Sequence, residues 1–361
     1  MRRFKVAPLQ TAPSQSDLRV SETGTLRMDD LLINAEGVRY ASDEANGTKK
    51  SYSRPQSCSS DGKPEFTASI KLSDLEVSDV LGRGCQGIVR RALHKPSNTT
   101  IALKELRCNL TDKTVRKQLL RELHLLYEVS CPYIVPCYGI FFAEQAINIA
   151  SEYMDKGCLS SIKTPLGFGP ALRSVARCIT SALAHLEGCR LLHRDIKPSN
   201  LLANSEGVVK LADFGLTVKT NNGVTSITSL AATMGGFGGD TFVGSIAYMS
   251  PERITDGKCY FVSDLWSAGL TLLELALGTY PYKAQGIDGV SNRMIELMDV
   301  IVSGPPSFEC EDPLAKEFIE SCIHVEMKNR PRPMDLVDHP WLKQGDPEDD
   351  RIAFVNVLNS L

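Results

Sequence analysis

The sequence predicts a mixed α+β fold in which a strand-rich region is followed by a longer, mostly helical region. Runs of β-branched and apolar residues at 75–77, 88–92, 101–104 and 147–151 favour strands. Apolar residues then recur at helical spacing in 172–188, and a second apolar helix is predicted from 264. Strands and helices segregated along the chain in this way are typical of α+β domains.

The composition is that of a globular protein with an ordinary core. The 361 residues are 42% hydrophobic and 23% charged, with a formal net charge of −3. So small a net charge gives no general attraction to nucleic acid or to a membrane. The eleven cysteines form no C-x-x-C pair and the six histidines are scattered, which argues against a disulfide framework and a zinc site. We therefore expect reduced thiols and a cytoplasmic location.

No signal peptide or membrane span is expected. The first residues lack the apolar run of a signal peptide. The longest apolar stretch, near 270–277, contains Glu274 and is too short to cross a bilayer.

Residues 1–70 are rich in Ser, Thr, Asp, Gly and Lys with little periodicity, so we expect a mostly disordered regulatory and docking extension. The exception is 24–33, whose apolar cluster is expected to dock on the folded part. At the start of the chain, the basic Arg2 and Arg3 precede the apolar Leu9. Such a segment can engage an acidic patch and an adjoining groove on a partner. A solvated tail is the alternative.

Glycines are concentrated between the first two predicted strands, where residues 82–87 read G-R-G-C-Q-G. A glycine backbone can approach a phosphate closely. The pattern alone is weak, because dinucleotide-binding folds use it too. In those folds a helix follows the glycines, whereas 88–92 favours a strand. The segment therefore predicts a hairpin over phosphates.

Glu122 lies inside the apolar stripe of a helix predicted over 114–129, between Leu119 and Leu126. A carboxylate on a buried face needs a partner. That partner is expected elsewhere in the fold. The alternative is that Glu122 lies at the edge of the stripe and pairs with an arginine of its own helix.

A polar loop between apolar flanks contains the residues with the most chemistry. Residues 193–200 read H-R-D-I-K-P-S-N, so a carboxylate, a lysine and a carboxamide fall within six positions. A proline stiffens the loop, and leucine pairs stand on both sides of it. Such a loop can hold reacting groups still. The strand-like 208–211 then precedes D-F-G at 213–215.

These two segments resemble the protein kinase catalytic loop H-R-D-x-K-x-x-N and the D-F-G that follows it. The glycine-rich 82–87, I-A-L-K at 101–104 and D-L-W-S-A-G at 264–269 match further kinase motifs, in the family's order. The resemblance covers 75–342. It implies a bilobal kinase fold, with a small β-rich N-lobe that carries one key helix and a larger, mostly helical C-lobe.

The same resemblance implies boundaries within the chain. The N-lobe is expected at 75–151, the hinge at 152–154 and the C-lobe at 155–342. Residues 343–361 are a short C-terminal tail. Within it, 351–361 is expected to form an amphipathic helix with Ile352, Val355 and Leu358 aligned.

Narrower strings resemble the MAP kinase kinases. T-F-V-G-S at 241–245, Y-M-S-P-E-R at 248–253 and I-E-L-M-D-V-I-V at 295–302 are three of them, and 24–33 looks like the plant members. The resemblance implies phosphorylation of Thr and Tyr in the activation loop of a MAP kinase. A Ser/Thr kinase with other substrates and a pseudokinase scaffold are the alternatives.

The kinase resemblance also assigns roles by position. Asp195 would be the catalytic base and Lys197 would neutralise the transferring phosphate of ATP. Asn200 and Asp213 would hold Mg²⁺, and Arg194 would receive an activation-segment phosphate. The implied nucleotide-binding residues are Leu81, Gly82, Gly84, Gly87, Val89, Ala102, Lys104, Glu122, Ser151, Glu152, Met154, Asn200 and Asp213. In the family the lysine at 104 is the partner of the glutamate at 122, and the residue at 151 closes the back of the adenine pocket.

Residues 213–252 are the implied activation segment. Thr241 precedes F-V-G, the position that the family phosphorylates. The family's first phosphosite does not map onto this sequence. A second site is expected at Thr233 or Ser229, because no hydroxyl residue lies between 233 and 241. An upstream MAP kinase kinase kinase is the implied activator, and the stretch from Arg2 to Leu9 is the implied dock for the substrate kinase.

Overall fold

The computed structural model describes residues 19–20, 25–28, 31–35, 37–40, 70–84, 87–106, 119–120, 122–126, 129–220, 222–226, 245–286 and 294–361. They belong to two compact units. The N-terminal unit comprises Met1–Leu120 and Tyr138–Ser151, and the C-terminal unit comprises Arg121–Cys137 and Glu152–Leu361.

A small antiparallel sheet lies within the segment expected to be mostly disordered. Its strands, in sheet order, are β1 (Arg19–Val20), β2 (Leu26–Met28), β3 (Leu31–Asn34) and β4 (Gly37–Tyr40). Leu26, Leu31 and Ile33 are buried. A Cβ on Gly37 would lie 3.9 Å from the backbone oxygen of Ile140, so the first residue of β4 lies near a later strand of the same unit. Most of 1–70, including the stretch from Arg2 to Leu9, lies outside the described residues.

The N-terminal unit is built on a five-stranded sheet. Its strands are β5 (Leu75–Gly84), β6 (Gly87–His94), β7 (Thr99–Leu106), β8 (Cys137–Ala143) and β9 (Ala146–Glu152), in the order β5-β6-β7-β9-β8. Ile101 and Leu103 alternate with Ala102 and Lys104 along β7, and only the first two are buried in the core of this unit. Because successive side chains of a strand point to opposite faces, Ala102 and Lys104 share the face away from that core.

The C-terminal unit is mostly helical. Its helices are α1 (Pro170–Gly188), α2 (Pro251–Thr255), α3 (Phe261–Leu277), α4 (Met294–Ser303), α5 (Pro313–Cys322), α6 (Pro333–Leu336), α7 (Pro340–Lys343) and α8 (Pro347–Asn359). Helix α1 begins with a proline at its first position, where the missing N–H costs nothing. It ends at Gly188, as predicted. Among the described residues, no helix has the length and apolar character to span a bilayer.

Short strands frame the loop that follows α1. β11 (Leu191–Leu192) pairs with β14 (Val218–Lys219). β10 (Gly157–Cys158), β12 (Leu201–Ala203) and β13 (Val209–Leu211) form a three-stranded sheet, and β15 (Val224–Ser226) pairs with β16 (Lys258–Tyr260). The polar loop 193–200 therefore runs between two ordered strands. A strand-rich unit followed by a helical one confirms the predicted α+β class.

The C-terminal helix differs from its prediction. Helix α8 begins at Pro347 and not near 351, and Ile352 is 47% exposed. Its buried face carries Asp350, Phe354 and Leu358, so the predicted alignment is confirmed for Leu358 and wrong for Ile352. The buried position is filled by a carboxylate because arginines of α1 meet it there.

Candidate active site

The loop between β11 and β12 brings together a carboxylate, a lysine and a carboxamide. Lys197 Nζ donates to both oxygens of Asp195, at 3.0 Å and 2.8 Å. Asn200 Nδ2 donates to Asp195 Oδ2 at 2.8 Å and to its backbone oxygen at 2.7 Å. The Asp195 and Lys197 side chains are each 12% exposed. The Asp195 carboxylate is thus held by two donors and still reaches the surface.

Lys197 also links this loop to Ser245, near the end of the predicted activation segment. Its Nζ donates to the hydroxyl of Ser245 at 2.8 Å. One ammonium group therefore lies between Asp195 and Ser245. A substrate hydroxyl approaching Asp195 would lie near the ammonium group of Lys197, whose positive charge can also stabilise the negative charge of a phosphate.

A buried aspartate in helix α3 holds the start of the loop. Asp264 accepts hydrogen bonds from the backbone N–H of His193 at 2.7 Å and of Arg194 at 2.8 Å. Burial raises the pKa of Asp264, although the charges and N–H groups around it act in the opposite direction. Asp264 was not among the predicted site residues. The signal that could have found it is an aspartate at the start of a strongly apolar helix.

The D-F-G segment lies beside the catalytic loop. The backbone N–H of Ala212 donates to the backbone oxygen of Asn200 at 2.8 Å. This bond places Asp213 next to Asn200 in the fold. Phe214 is buried and makes an edge-on contact with the ring of His193, with centroids 5.4 Å apart. Burial lowers the pKa of His193, which favours a neutral ring.

Asp213 and Asn200 present oxygen atoms suited to a hard cation. Asp213 has a left-handed backbone with φ 63, rare for a residue with a Cβ and frequent at functional sites. The amide nitrogen of Asn200 is directed at Asp195, so its Oδ1 is the atom left for a metal. Among the described residues, no group of three or more His, Cys, Asp or Glu could hold a metal ion. A cation here would therefore take its remaining ligands from phosphate and water, as Mg²⁺ commonly does.

The predicted phosphate-covering glycines occupy the β5–β6 hairpin. Gly82 pairs with Val89, and Gly84 pairs with Gly87. A strand follows the glycines, which is the outcome expected of a kinase. A Cβ on Gly87 would come 1.9 Å from the backbone oxygen of Glu105, so only glycine fits there, whereas nothing lies within 4 Å of one on Gly82.

The remaining predicted nucleotide contacts of this unit lie on the same sheet. Val89 in β6 is opposite Lys104 in β7. The hydroxyl of Ser151 donates to the backbone oxygen of Ala102 at 3.4 Å. Leu81, in β5, is exposed.

The predicted burial of Glu122 is confirmed. It is 4% exposed in the helical residues 122–126, and Leu119 is buried too. Its pairing with Lys104 stays a prediction.

The predicted hinge residues are fixed within the C-terminal unit. The carboxylate of Glu152 pairs with the ammonium group of Lys210 in β13, and its backbone N–H donates to the oxygen of Pro136 at 3.1 Å. Met154 is buried. The partnership with Lys210 was not foreseen.

A second buried ion pair lies at the end of the predicted activation segment. Arg330 Nη1 and Nη2 each donate to an oxygen of Glu252 at 2.9 Å. The guanidinium group also lies over the ring of Trp266, 5.1 Å from its centroid. Burial raises the pKa of Glu252, but the bonds and charge of Arg330 and the hydroxyl of Ser263 outweigh it, so the pKa lies below its usual value.

The proposed regulatory residues are described only in part. Arg194 donates from Nε to the backbone oxygen of Leu216 at 2.6 Å. Thr241, Thr233 and Ser229 lie outside the described residues.

Comparison with known proteins agrees with this geometry. The protein kinase domain family matches residues 75–342. Mitogen-activated protein kinase kinase 1c of Physcomitrium patens is 38% identical over 98% of this chain and 99% of its own length. The chain belongs to the protein kinase family, in its MAP kinase kinase group. Mitogen-activated protein kinase kinase SIPKK of Nicotiana tabacum is 34% identical over 91% of this kinase and 87% of its own length. Mitogen-activated protein kinase kinase 2 of Arabidopsis thaliana is 34% identical over 91% and 85%.

Proposed function

We propose that this kinase transfers the γ-phosphoryl group of ATP to the Thr and Tyr hydroxyls in the activation loop of a MAP kinase. The observation that carries the proposal is the cluster of Asp195, Lys197 and Asn200, in a chain similar to MAP kinase kinases over nearly its whole length. We place this activity in the cytoplasm, because the cysteines that the structure describes are free thiols.

Phosphoryl transfer needs positioning and charge neutralisation more than covalent chemistry from the protein. Asp195 orients the substrate hydroxyl and accepts its proton. Lys197, 2.8 Å from Asp195 Oδ2, neutralises charge on the transferring group. The oxygens of Asn200 and Asp213 would hold Mg²⁺, which would neutralise further charge on the phosphates.

The nucleotide is held by the remaining predicted residues. Gly82, Gly84 and Gly87 cover the phosphates with backbone, and Lys104 anchors them with Glu122 as its partner. The adenine and ribose lie against the other residues of the set: Leu81, Val89, Ala102, Ser151, Glu152 and Met154.

Phosphorylation of the activation segment switches the enzyme on. An upstream MAP kinase kinase kinase modifies Thr241 and a second site at Thr233 or Ser229. Arg194, next to the base, receives a phosphate through its guanidinium group. The stretch from Arg2 to Leu9 docks the substrate kinase.

The test is phosphorylation of a purified Thr-x-Tyr MAP kinase by the wild-type chain and by Asp195→Ala. We expect phosphopeptide mapping to find phosphate on both the Thr and the Tyr with the wild type and on neither with the variant. Substrates with Thr→Ala or Tyr→Phe serve as controls for each site. A preference for myelin basic protein would favour the general Ser/Thr kinase, and absence of ATP turnover would favour the pseudokinase.

Docking and activation are tested separately. Deleting residues 1–10 should lower kcat/KM for the MAP kinase and leave a short peptide substrate unaffected. Equal losses on both substrates would contradict the docking role. Full activity of Thr241→Ala would contradict the proposed phosphosite.

A further inference from the structure

A buried cation lies against the backbone of the catalytic loop. Arg253, in α2, is 6% exposed, and its Nη1 donates to the backbone oxygen of Arg194 at 3.0 Å. Its Nε is buried and has no hydrogen-bond partner among the described residues. An unpaired buried donor is costly, so packing alone would favour an apolar side chain at this position.

The two peptide groups that flank the Cα of Arg194 are each held by a hydrogen bond. Its N–H donates to Asp264 at 2.8 Å, and its backbone oxygen accepts from Arg253. Between them, Arg194 has a left-handed backbone with φ 67. That conformation is sparsely populated for a residue with a Cβ and persists only where the surroundings impose it.

The bond from Arg253 bears directly on Asp195. The backbone oxygen of Arg194 and the nitrogen of Asp195 belong to one planar peptide group, so fixing the oxygen fixes the plane from which Asp195 begins. The N–H of that group points towards His193 Nδ1, at 3.4 Å. A rotation of this plane would move the carboxylate away from Lys197 and Asn200.

We propose that Arg253 is a positioning residue for phosphoryl transfer, which sets the orientation of Asp195 by holding the backbone oxygen of Arg194. The inference rests on the proposed role of Asp195 as the base. A misplacement of about 1 Å in a reacting group can cost about 100-fold in rate. Loss of Arg253 should therefore reduce kcat and leave the KM for ATP unchanged.

The test compares Arg253→Met and Arg253→Lys with the wild-type full chain. Steady-state kinetics are measured well below each melting temperature, with equal phosphate occupancy of the activation segment verified by mass spectrometry. We expect kcat to fall about 10- to 100-fold in Arg253→Met, with the KM for ATP within about twofold of wild type. Arg253→Lys, which keeps a cationic donor, should retain more of the activity.

Arg173→Met is the matched control. Arg173 is also 6% exposed and sits in the same unit, but it binds Asp350 in α8, with contacts of 2.7 Å and 2.6 Å. Its loss should lower the melting temperature and leave kcat at the wild-type value. An equal fall of kcat in Arg173→Met would overturn the proposal, because loss of any buried arginine would then have the same effect.

Wild-type kcat in Arg253→Met also overturns the proposal. If that variant does not fold, Arg253→Gln decides, because it removes the guanidinium group and keeps a polar side chain at the buried position: a fall of at least about threefold in kcat is expected, and wild-type kcat overturns the positioning role. Asp195→Asn in the same assay tests the base itself. Retained turnover in Asp195→Asn would overturn the proposed function. If Asp195→Asn loses turnover and Arg253→Met keeps the wild-type kcat, only the inference about Arg253 is overturned.

Discussion

Buried carboxylates contribute to the attachment of two parts of the C-terminal unit, the catalytic loop 193–200 and the C-terminal helix α8. Asp264 holds the loop through two backbone N–H groups, whereas Asp350 holds the helix through the guanidinium groups of Arg173 and Arg177. Bonds to backbone set the path of the chain and with it the direction of the side chains that follow. Bonds between side chains hold helices α1 and α8 together without changing the path of either backbone. Similar buried groups thus serve geometry in one region and stability in the other.

This difference predicts that activity and stability separate between the two regions. Changes in the loop should alter turnover with little effect on the free energy of unfolding. Changes at Asp350, which attaches α8, should lower the free energy of unfolding with little effect on turnover.

The largest effect is expected for Asp195→Asn. The change preserves size and removes the proton acceptor, which as a general base contributes about 10²- to 10⁴-fold in rate. We expect kcat to fall by that factor, while the free energy of unfolding changes by less than about 1 kcal/mol, as for other partly exposed polar positions. Steady-state turnover and thermal unfolding measure the two quantities. A large loss of stability without loss of turnover would contradict the prediction that changes in the loop affect turnover and not stability.

Asp350→Ala should produce the opposite result. Removing one partner of a buried ion pair leaves uncompensated charge and costs about 3–5 kcal/mol. Asp350 pairs with two arginines, so we expect the free energy of unfolding, measured with denaturant, to fall by this amount. The kcat per folded molecule should stay unchanged. Asp349→Ala is the control, because this neighbouring carboxylate is exposed and its contribution at the helix start should stay below about 1 kcal/mol. Equal losses in the two variants would show that Asp350 is not the anchor.

Glu252 tests a buried pair that lies closer to the activation segment. Its pKa in the folded protein is lowered from the model-peptide value of 4.5, chiefly because the hydrogen bonds and charge of Arg330 outweigh burial. A depressed carboxyl pKa contributes stability that is fully present above about 4.5 and is lost as the pH falls through the folded-state value. The free energy of unfolding of the wild type should therefore fall more steeply than that of Glu252→Gln as the pH is lowered from about 5 through the folded-state pKa of Glu252. Parallel curves for the two proteins would mean that the Arg330 contact adds no stability.

The parts that the sequence predicted are those in which the deciding residues are close together in the chain. Asp195, Lys197 and Asn200 fall within one loop, and the spacing of α1 predicted its end at Gly188. The burial of Glu122 followed from its place in an apolar stripe. Each of these inferences needed only a short window of sequence.

The parts that were missed depend on partners far away in the chain. Asp264 reaches back to His193, 71 positions earlier, and Lys210 meets Glu152 across 58 positions. The strands β1–β4 are two to four residues long, too short to establish a period-two pattern. The buried Asp350 of α8 lies just before the predicted helix 351–361, and its arginine partners are 177 and 173 positions away in the chain.

The smallest effect is expected at the far end of α8. Lys156 Nζ donates to Asn359 Oδ1 at 2.8 Å and to the backbone oxygen of Leu358 at 3.4 Å, near the exposed end of the helix. In water these bonds exchange with solvent, so Lys156→Met should cost only about 0.5–1.5 kcal/mol, well below Asp350→Ala.

Lys156 follows the predicted hinge by two positions, so the KM for ATP is measured alongside denaturant unfolding. We expect that KM to stay at the wild-type value. We also expect Asn359→Ala to add less in the Lys156→Met background than it costs alone, because the two residues share one contact. A raised KM, or a loss of stability as large as that of Asp350→Ala, would show that α8 acts on nucleotide binding and that the separation of the two regions is wrong.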